Sequence, residues 1–147
     1  MEFKFNDGGR YKAGFKNTAS DCVVRAISII TDLPYKEVYD AINIIAKDER
    51  ITKRRKSRST SNGGVYKVTY SKYLETLGFK WIPTMFVGVG CKVHLKKEEL
   101  PKGKLIVRLS KHLTSVIDGV IHDTYDPSRG ETRCVYGYWV REEYVTL

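Results

Sequence analysis

Three residues far apart in the chain, Cys22, His112 and Asp123, have types and settings that suit nucleophilic chemistry. Cys22 follows Ser20-Asp21, where apolar residues (Val23, Ala26, Ile27, Ile30) begin to recur at helical spacing. It therefore falls in the first turn of a helix predicted to run to about Thr31, with Ser20 or Asp21 as its cap. The free backbone N–H groups and positive dipole end of a first turn favour an anion. A thiol placed there shifts toward thiolate, the form that attacks. A thiolate nucleophile needs an imidazole to pair with it and later to protonate the leaving group. His112 opens a predicted strand and can lie near Cys22 in space. A third group must then hold the other ring nitrogen. Asp118-Gly119 reads as a two-residue hairpin turn, which pairs Ile117 with Val120, Thr114 with Asp123, and His112 with Tyr125. Asp123 is then diagonal to His112 on the same face, whereas Asp126 falls on the other parity unless a bulge intervenes. The plainer reading of Cys22 is a small apolar residue on the buried face of its helix.

Other candidates carry less chemistry. Cys91-x-x-His94 has metal-ligand spacing, and Cys134 and His122 could complete a zinc site, but the ligands would come from separate strands. The expectation is no metal, with Cys91 and Cys134 as small hydrophobes. An odd cysteine count with wide spacings is not a disulfide framework, and in a reducing compartment all three are thiols. His122 alternates with Asp123 along its strand and should point away from His112. Arg25, one turn after Cys22, suits an ion pair or a substrate groove, and Trp81 and Trp139 suit the core or its rim.

The elements that would position these residues can be read from the pattern. Residues 1–20 look irregular. Helices follow over about 22–31, from Pro34 to about Lys47, and over Ser71–Leu77 with Gly78 as a C-cap. After Gly78 the period changes to that of strands: Phe79–Pro83, Lys104–Leu109, His112–Ile117, Val120–Tyr125 and Arg133–Val140, with a helical turn at Lys96–Leu100. Helices first and strands second predict an α+β fold, N-terminal helices packed on a C-terminal antiparallel sheet, in one domain over 1–147. The chain of 147 residues, 41% hydrophobic and 29% charged, is composed like a folded protein rather than a disordered one. No apolar run approaches the ~20 residues of a membrane helix. No signal-peptide pattern opens the chain, so the expected location is cytoplasmic, without membrane contact.

The net charge is +9, and the segment Lys47–Arg58 alone contributes +5. Lys53, Arg54, Arg55, Lys56 and Arg58 form a candidate contact for an acidic partner or nucleic acid. The segment has no aromatic residue for base stacking, and the Ser/Gly-rich stretch after it suggests a flexible loop over about 47–64.

A cysteine at a helix start, a histidine at a strand start about two-thirds along and a polar residue on the next strand resemble the papain-like cysteine peptidases, including their bacteriocin-processing branch. Asp123-Thr124-Tyr125 is similar in pattern to the family's Asn-Ser-Trp motif, and Asp126-Pro127 to the Asp-Pro step of the processing branch. The resemblance spans about Asn17 to Pro127. The family's glycine-rich surroundings of the cysteine are absent; here it sits in Ser20-Asp21-Cys22-Val23-Val24-Arg25-Ala26. Lys16 occupies the place of the oxyanion glutamine, with Asn17 beside it as a candidate donor. The resemblance implies a papain-like fold and thiol-mediated hydrolysis of a peptide or isopeptide bond in a peptide or protein substrate, with no cofactor. Cys22 would attack, His112 would carry the proton and Asp123, or Asp126 in its place, would orient His112. The alternative is a basic module that binds nucleic acid or protein on the same fold without catalysis.

Overall fold

A computed structural model describes residues 1–16 and 19–144. Among the described residues it contains three helices and six strands: β1 (Glu2–Phe5), α1 (Cys22–Thr31), α2 (Tyr35–Ala46), α3 (Lys67–Thr76), β2 (Lys80–Pro83), β3 (Lys104–Leu109), β4 (His112–Ile117), β5 (Val120–Asp123) and β6 (Gly137–Val140). The six strands form one sheet in the order β1-β5-β4-β3-β6-β2. The α+β class is the one the element order predicts, but the sheet is mixed rather than antiparallel. The N-terminal residues, expected to be irregular, form a strand that pairs parallel to β5, Glu2 opposite Val120 and Phe5 opposite Asp123. A single four-residue strand at a sheet edge takes its stability from its partner, so its own sequence carries little signal. No described helix is long and apolar enough to cross a membrane.

Alternation along the central strands divides the core. Ile106, Leu113 and Trp139 join the helices in one apolar cluster, whereas Leu105, Val107, Leu109, Val116 and Ile121 join Leu95 and Val135 in a second. α1 is buried on every side, Arg25 and Ser28 included, which makes it the central helix of the first cluster. The hairpin between β4 and β5 has the register expected from Asp118-Gly119: Ile117 faces Val120, Val116 faces Ile121 and Ser115 faces His122. Both turn residues have positive φ, 49° and 78°, as the mirror-image type I turn of a two-residue hairpin requires.

Two boundaries move for tertiary reasons. α3 begins at Lys67 rather than Ser71, because its first turn carries the buried Thr69 and Tyr70 inward. β6 is shorter than Arg133–Val140: residues 133–135 pair instead with Val93–Leu95, through Leu95 N–H to Arg133 O (2.9 Å) and Val135 N–H to Val93 O (2.8 Å). That pairing sets His94 opposite Cys134 and closes a disulfide between Cys91 and Cys134, Cα atoms 5.9 Å apart. Three free thiols were expected; the described chain has one, Cys22. Spacing could not reveal the bond, because its two halves meet only through this pairing. The disulfide also removes both sulfurs from the zinc set considered for Cys91, His94, His122 and Cys134.

The stretch expected as a flexible basic loop over 47–64 is pinned at its second half. The Glu49 carboxylate accepts hydrogen bonds from the Ser59 N–H and hydroxyl and from the Thr69 hydroxyl. Ser61 is buried and bonds to Asn43 Oδ1 (2.9 Å) and Tyr39 O (2.6 Å). Arg55 lies 4.6 Å over the Tyr66 ring, and Arg58 Nε donates to Glu49 O (3.1 Å). Lys53, Arg54 and Lys56 project as exposed side chains.

Candidate functional site

Asp21 is the N-cap residue of α1, yet its side chain caps nothing. Its buried carboxylate instead pairs with Arg25, accepts from the Tyr35 hydroxyl (2.6 Å) and takes Arg10 Nη1 at 3.1 Å. The cap expected from Ser20-Asp21 is therefore replaced by an ion-pair network, and Cys22 opens the first turn of α1 without a side-chain cap before it. Sequence reasoning offered Arg25 an unspecified acid. The structure supplies two, Asp21 one turn before it and Asp123 at 3.5 Å.

β4 begins where β5 ends, so His112 and Asp123 stand at one end of the sheet. His112 Nε2 is 2.8 Å from Asp123 Oδ2, which also accepts from the Thr114 hydroxyl at 2.6 Å. Asp123 Oδ1 accepts from the Thr124 N–H at 2.7 Å. With Nε2 engaged, Nδ1 is the ring nitrogen left for Cys22, whose thiol lies close enough to His112 for each to shift the other's protonation. Tyr125 covers the imidazole, ring centroids 5.2 Å apart. Cys22 and His112 line one open cleft of about 230 Å³.

Burial and partners work against each other in each group. Burial pushes the Cys22 thiol up, but the bond to His112, the imidazolium charge, the Leu113 N–H and Arg25 outweigh it and leave the thiol below its ordinary value. Burial pushes His112 down, and the bonds to Asp123 and Cys22 lift it to about 9. Burial pushes Asp123 up, and the bonds from His112 and Thr114 hold it below the usual carboxylate range. All three shifts favour thiolate, imidazolium and carboxylate together, a row of alternating charge that can deliver a nucleophile and hold a proton beside it.

The other candidates fall elsewhere. Asp126 accepts from the Ser128 N–H at 2.9 Å and caps its own turn, in a pocket that His112 also lines and Cys22 does not. Asn17 lies outside the described residues. His94 bonds to Glu99 rather than standing alone. His122 is on the opposite parity from Asp123, and its buried Nδ1 has no hydrogen-bond partner among the described residues. Lys67, Tyr70 and Arg108 line the Cys22 cleft without having been singled out in the sequence, since nothing in their spacing links α3 and β3 to α1. No protein-family model, curated protein or solved structure matches this chain.

Proposed function

We propose that this chain is a thiol-dependent acyl-transfer hydrolase, most simply a cysteine peptidase of papain-like arrangement. The observation that carries the reading is the row of Cys22, His112 and Asp123, with His112 hydrogen-bonded to Asp123, the thiol lowered and the imidazole raised. In this reading the Cys22 thiolate attacks the carbonyl carbon of an amide, and negative charge develops on the carbonyl oxygen. The Cys22 backbone N–H, unpaired within α1, supplies one donor to that oxygen, and Asn17, close to Cys22 in the sequence, is the candidate for a second. His112 gives its proton to the leaving nitrogen as the C–N bond breaks, which leaves a thioester. It then takes a proton from water, whose hydroxyl oxygen adds to the thioester carbon, and the acid and the thiolate separate. Asp123 keeps the ring oriented throughout, and no cofactor enters the step.

The test is alkylation of Cys22 by iodoacetamide across pH. Reactivity should persist well below pH ~8.5, the midpoint of an ordinary cysteine. A rate that rises with the ordinary midpoint would overturn the reading. The exposed Lys53, Arg54 and Lys56 favour a second, non-catalytic reading in which the chain binds a polyanion. Salt-dependent binding of DNA or RNA by a protein whose Cys22 behaves as an ordinary thiol would support it.

A further inference from the structure

Cys22 apart, the side chains of its cleft carry charge of one sign. Lys67 at the start of α3, Arg108 in β3 and Lys111 in the turn between β3 and β4 line it together with Cys22 and His112, and no Asp or Glu side chain does among the described residues. None of the three cations is in an ion pair among the described residues. Nearby acids are already committed, Asp21 and Asp123 to Arg25 and His112. Tyr70, pushed up to about 12 by burial, remains a neutral phenol.

The cations are positioned rather than loose. The Lys67 ammonium sits 4.2 Å from the Trp81 ring centroid, and the Arg108 guanidinium 5.5 Å from that of Tyr136. Each half-buried side chain is thus held by an aromatic face, and its N–H donors have no protein acceptor among the described residues. Burial and then the charge of Arg108 hold Lys67 below its ordinary value, the mark of two cations kept close with no anion between them. Lys111 stands at the exposed mouth with a φ of 56°, a left-handed conformation that costs a side chain of this kind on the order of 1 kcal/mol. The volume, about 230 Å³, is below that of a drug-sized site and suits a single side chain.

We infer that the cleft selects an acyl donor bearing a carboxylate beside the reacting carbonyl, an Asp or Glu side chain of a peptide, held by Arg108 and Lys67 with Lys111 at the entrance. The inference rests on the reading of Cys22 as the nucleophile. A planar guanidinium with free donors matches a carboxylate in two-point geometry, and Lys67 adds a second charge from the facing element. The bound carboxylate would relieve the repulsion between the two cations.

The experiment compares the alkylation rates of Cys22 by iodoacetate and by iodoacetamide, which differ in charge and little in size. The iodoacetamide rate reports the thiolate itself. In the Lys67→Gln/Arg108→Gln variant the iodoacetate-to-iodoacetamide ratio should fall about five- to thirtyfold, the scale of two partly exposed charge contacts. An unchanged ratio overturns the inference and leaves the thiolate reading intact. A Cys22 inert to both reagents removes the thiolate reading and the inference with it. A pair of short peptide vinyl sulfones ending in Glu or Gln then identifies the source of the carboxylate. Glu should modify Cys22 several-fold faster than Gln, and equal rates overturn the assignment to a peptide side chain.

Discussion

Two cysteine-histidine-carboxylate rows stand in this molecule. One is Cys22, His112 and Asp123. The other is Cys91, His94 and Glu99, with Cys91 Sγ 3.6 Å from His94 Nε2 and His94 Nδ1 3.3 Å from Glu99 Oε1. The first is assembled from α1, β4 and β5, and its histidine and aspartate side chains are 7% and 4% exposed. The second is drawn from one short irregular stretch, with histidine and glutamate 38% and 30% exposed, and its sulfur is already spent in the disulfide to Cys134. Charges a few ångströms apart interact several times more strongly in a protein environment than in bulk water. The same three residue types therefore perturb one another in the first row far more than in the second. Proximity alone does not make a reactive thiol; in the proposed reading the helix end and the anchoring of its partners on separate rigid elements set Cys22 apart.

The comparison is broken or sharpened most directly by a race. After the disulfide is reduced under native conditions, iodoacetamide at about pH 6 should modify Cys22 on the order of a hundredfold faster than Cys91, given the thiolate fraction expected of a lowered thiol against an ordinary one. Mass mapping of the modified cysteine reads the result, and equal rates would mean that the buried row confers nothing.

The orienting acids should separate next. Asp123→Asn keeps the shape of the side chain but removes the charge that fixes the His112 ring, so Cys22 alkylation near neutral pH should slow by about 10–10³, less than the ~10⁴ known for a serine nucleophile. Glu99→Gln should leave Cys91 of the reduced protein within about twofold, because an exposed, screened contact contributes little. Asp126→Ala should likewise leave Cys22 within about twofold, since its carboxylate caps a turn. A reversed order of Asp123 and Asp126 would mean that the hairpin register is not the one that sets the ring.

Stability against pH offers a finer contrast. His112, raised to about 9 in the fold, holds a proton that the unfolded chain gives up near 6.5, so by itself it stabilises fully below pH 6.5 and that stability is lost as pH rises through about 9. Cys22 acts with the opposite sign, because its folded pKa is lowered: its contribution is present above the unfolded value and lost as pH falls through the folded one. Between those limits the pair has moved a proton from sulfur to nitrogen without net uptake, and the wild-type urea midpoint should be nearly flat. Cys22→Ala leaves His112 raised by Asp123 with nothing to offset it, so its midpoint should decline as pH rises above 6.5. A slope as flat as that of the wild type would show that Asp123 by itself does not keep the proton on His112.

The smallest effect on Cys22 should come from the other row. Replacing Cys91 and Cys134 together by Ala removes a link between residues 43 apart in sequence and costs about 4 kcal/mol of stability in the chain-entropy account. The Cys22 alkylation rate should stay within about twofold, because the disulfide lies among 91–95 and 133–135, away from the cleft. A large loss of reactivity would join the two regions that the structure keeps apart.

Much of this arrangement was legible in the sequence because it depends on local periods. The start of α1 at Cys22, the strands Lys104–Leu109 and His112–Ile117 and the Asp118-Gly119 turn follow from spacing of 3.6 or 2 and from turn chemistry. The same arithmetic placed Asp123 on the face of His112 and Thr114 opposite it. Tertiary structure decided what depends on partners distant in sequence. β1 exists because β5 offers an edge. Asp21 abandons its cap because Arg10, Arg25 and Tyr35 converge on it. Cys91 reaches Cys134 because residues 93–95 pair with residues 133–135. Lys67 and Arg108 share a cleft with Cys22 because α3 and β3 both border the start of α1. Periodicity records which face of an element is apolar, and it carries no information about which charged side chain of another element that face will meet.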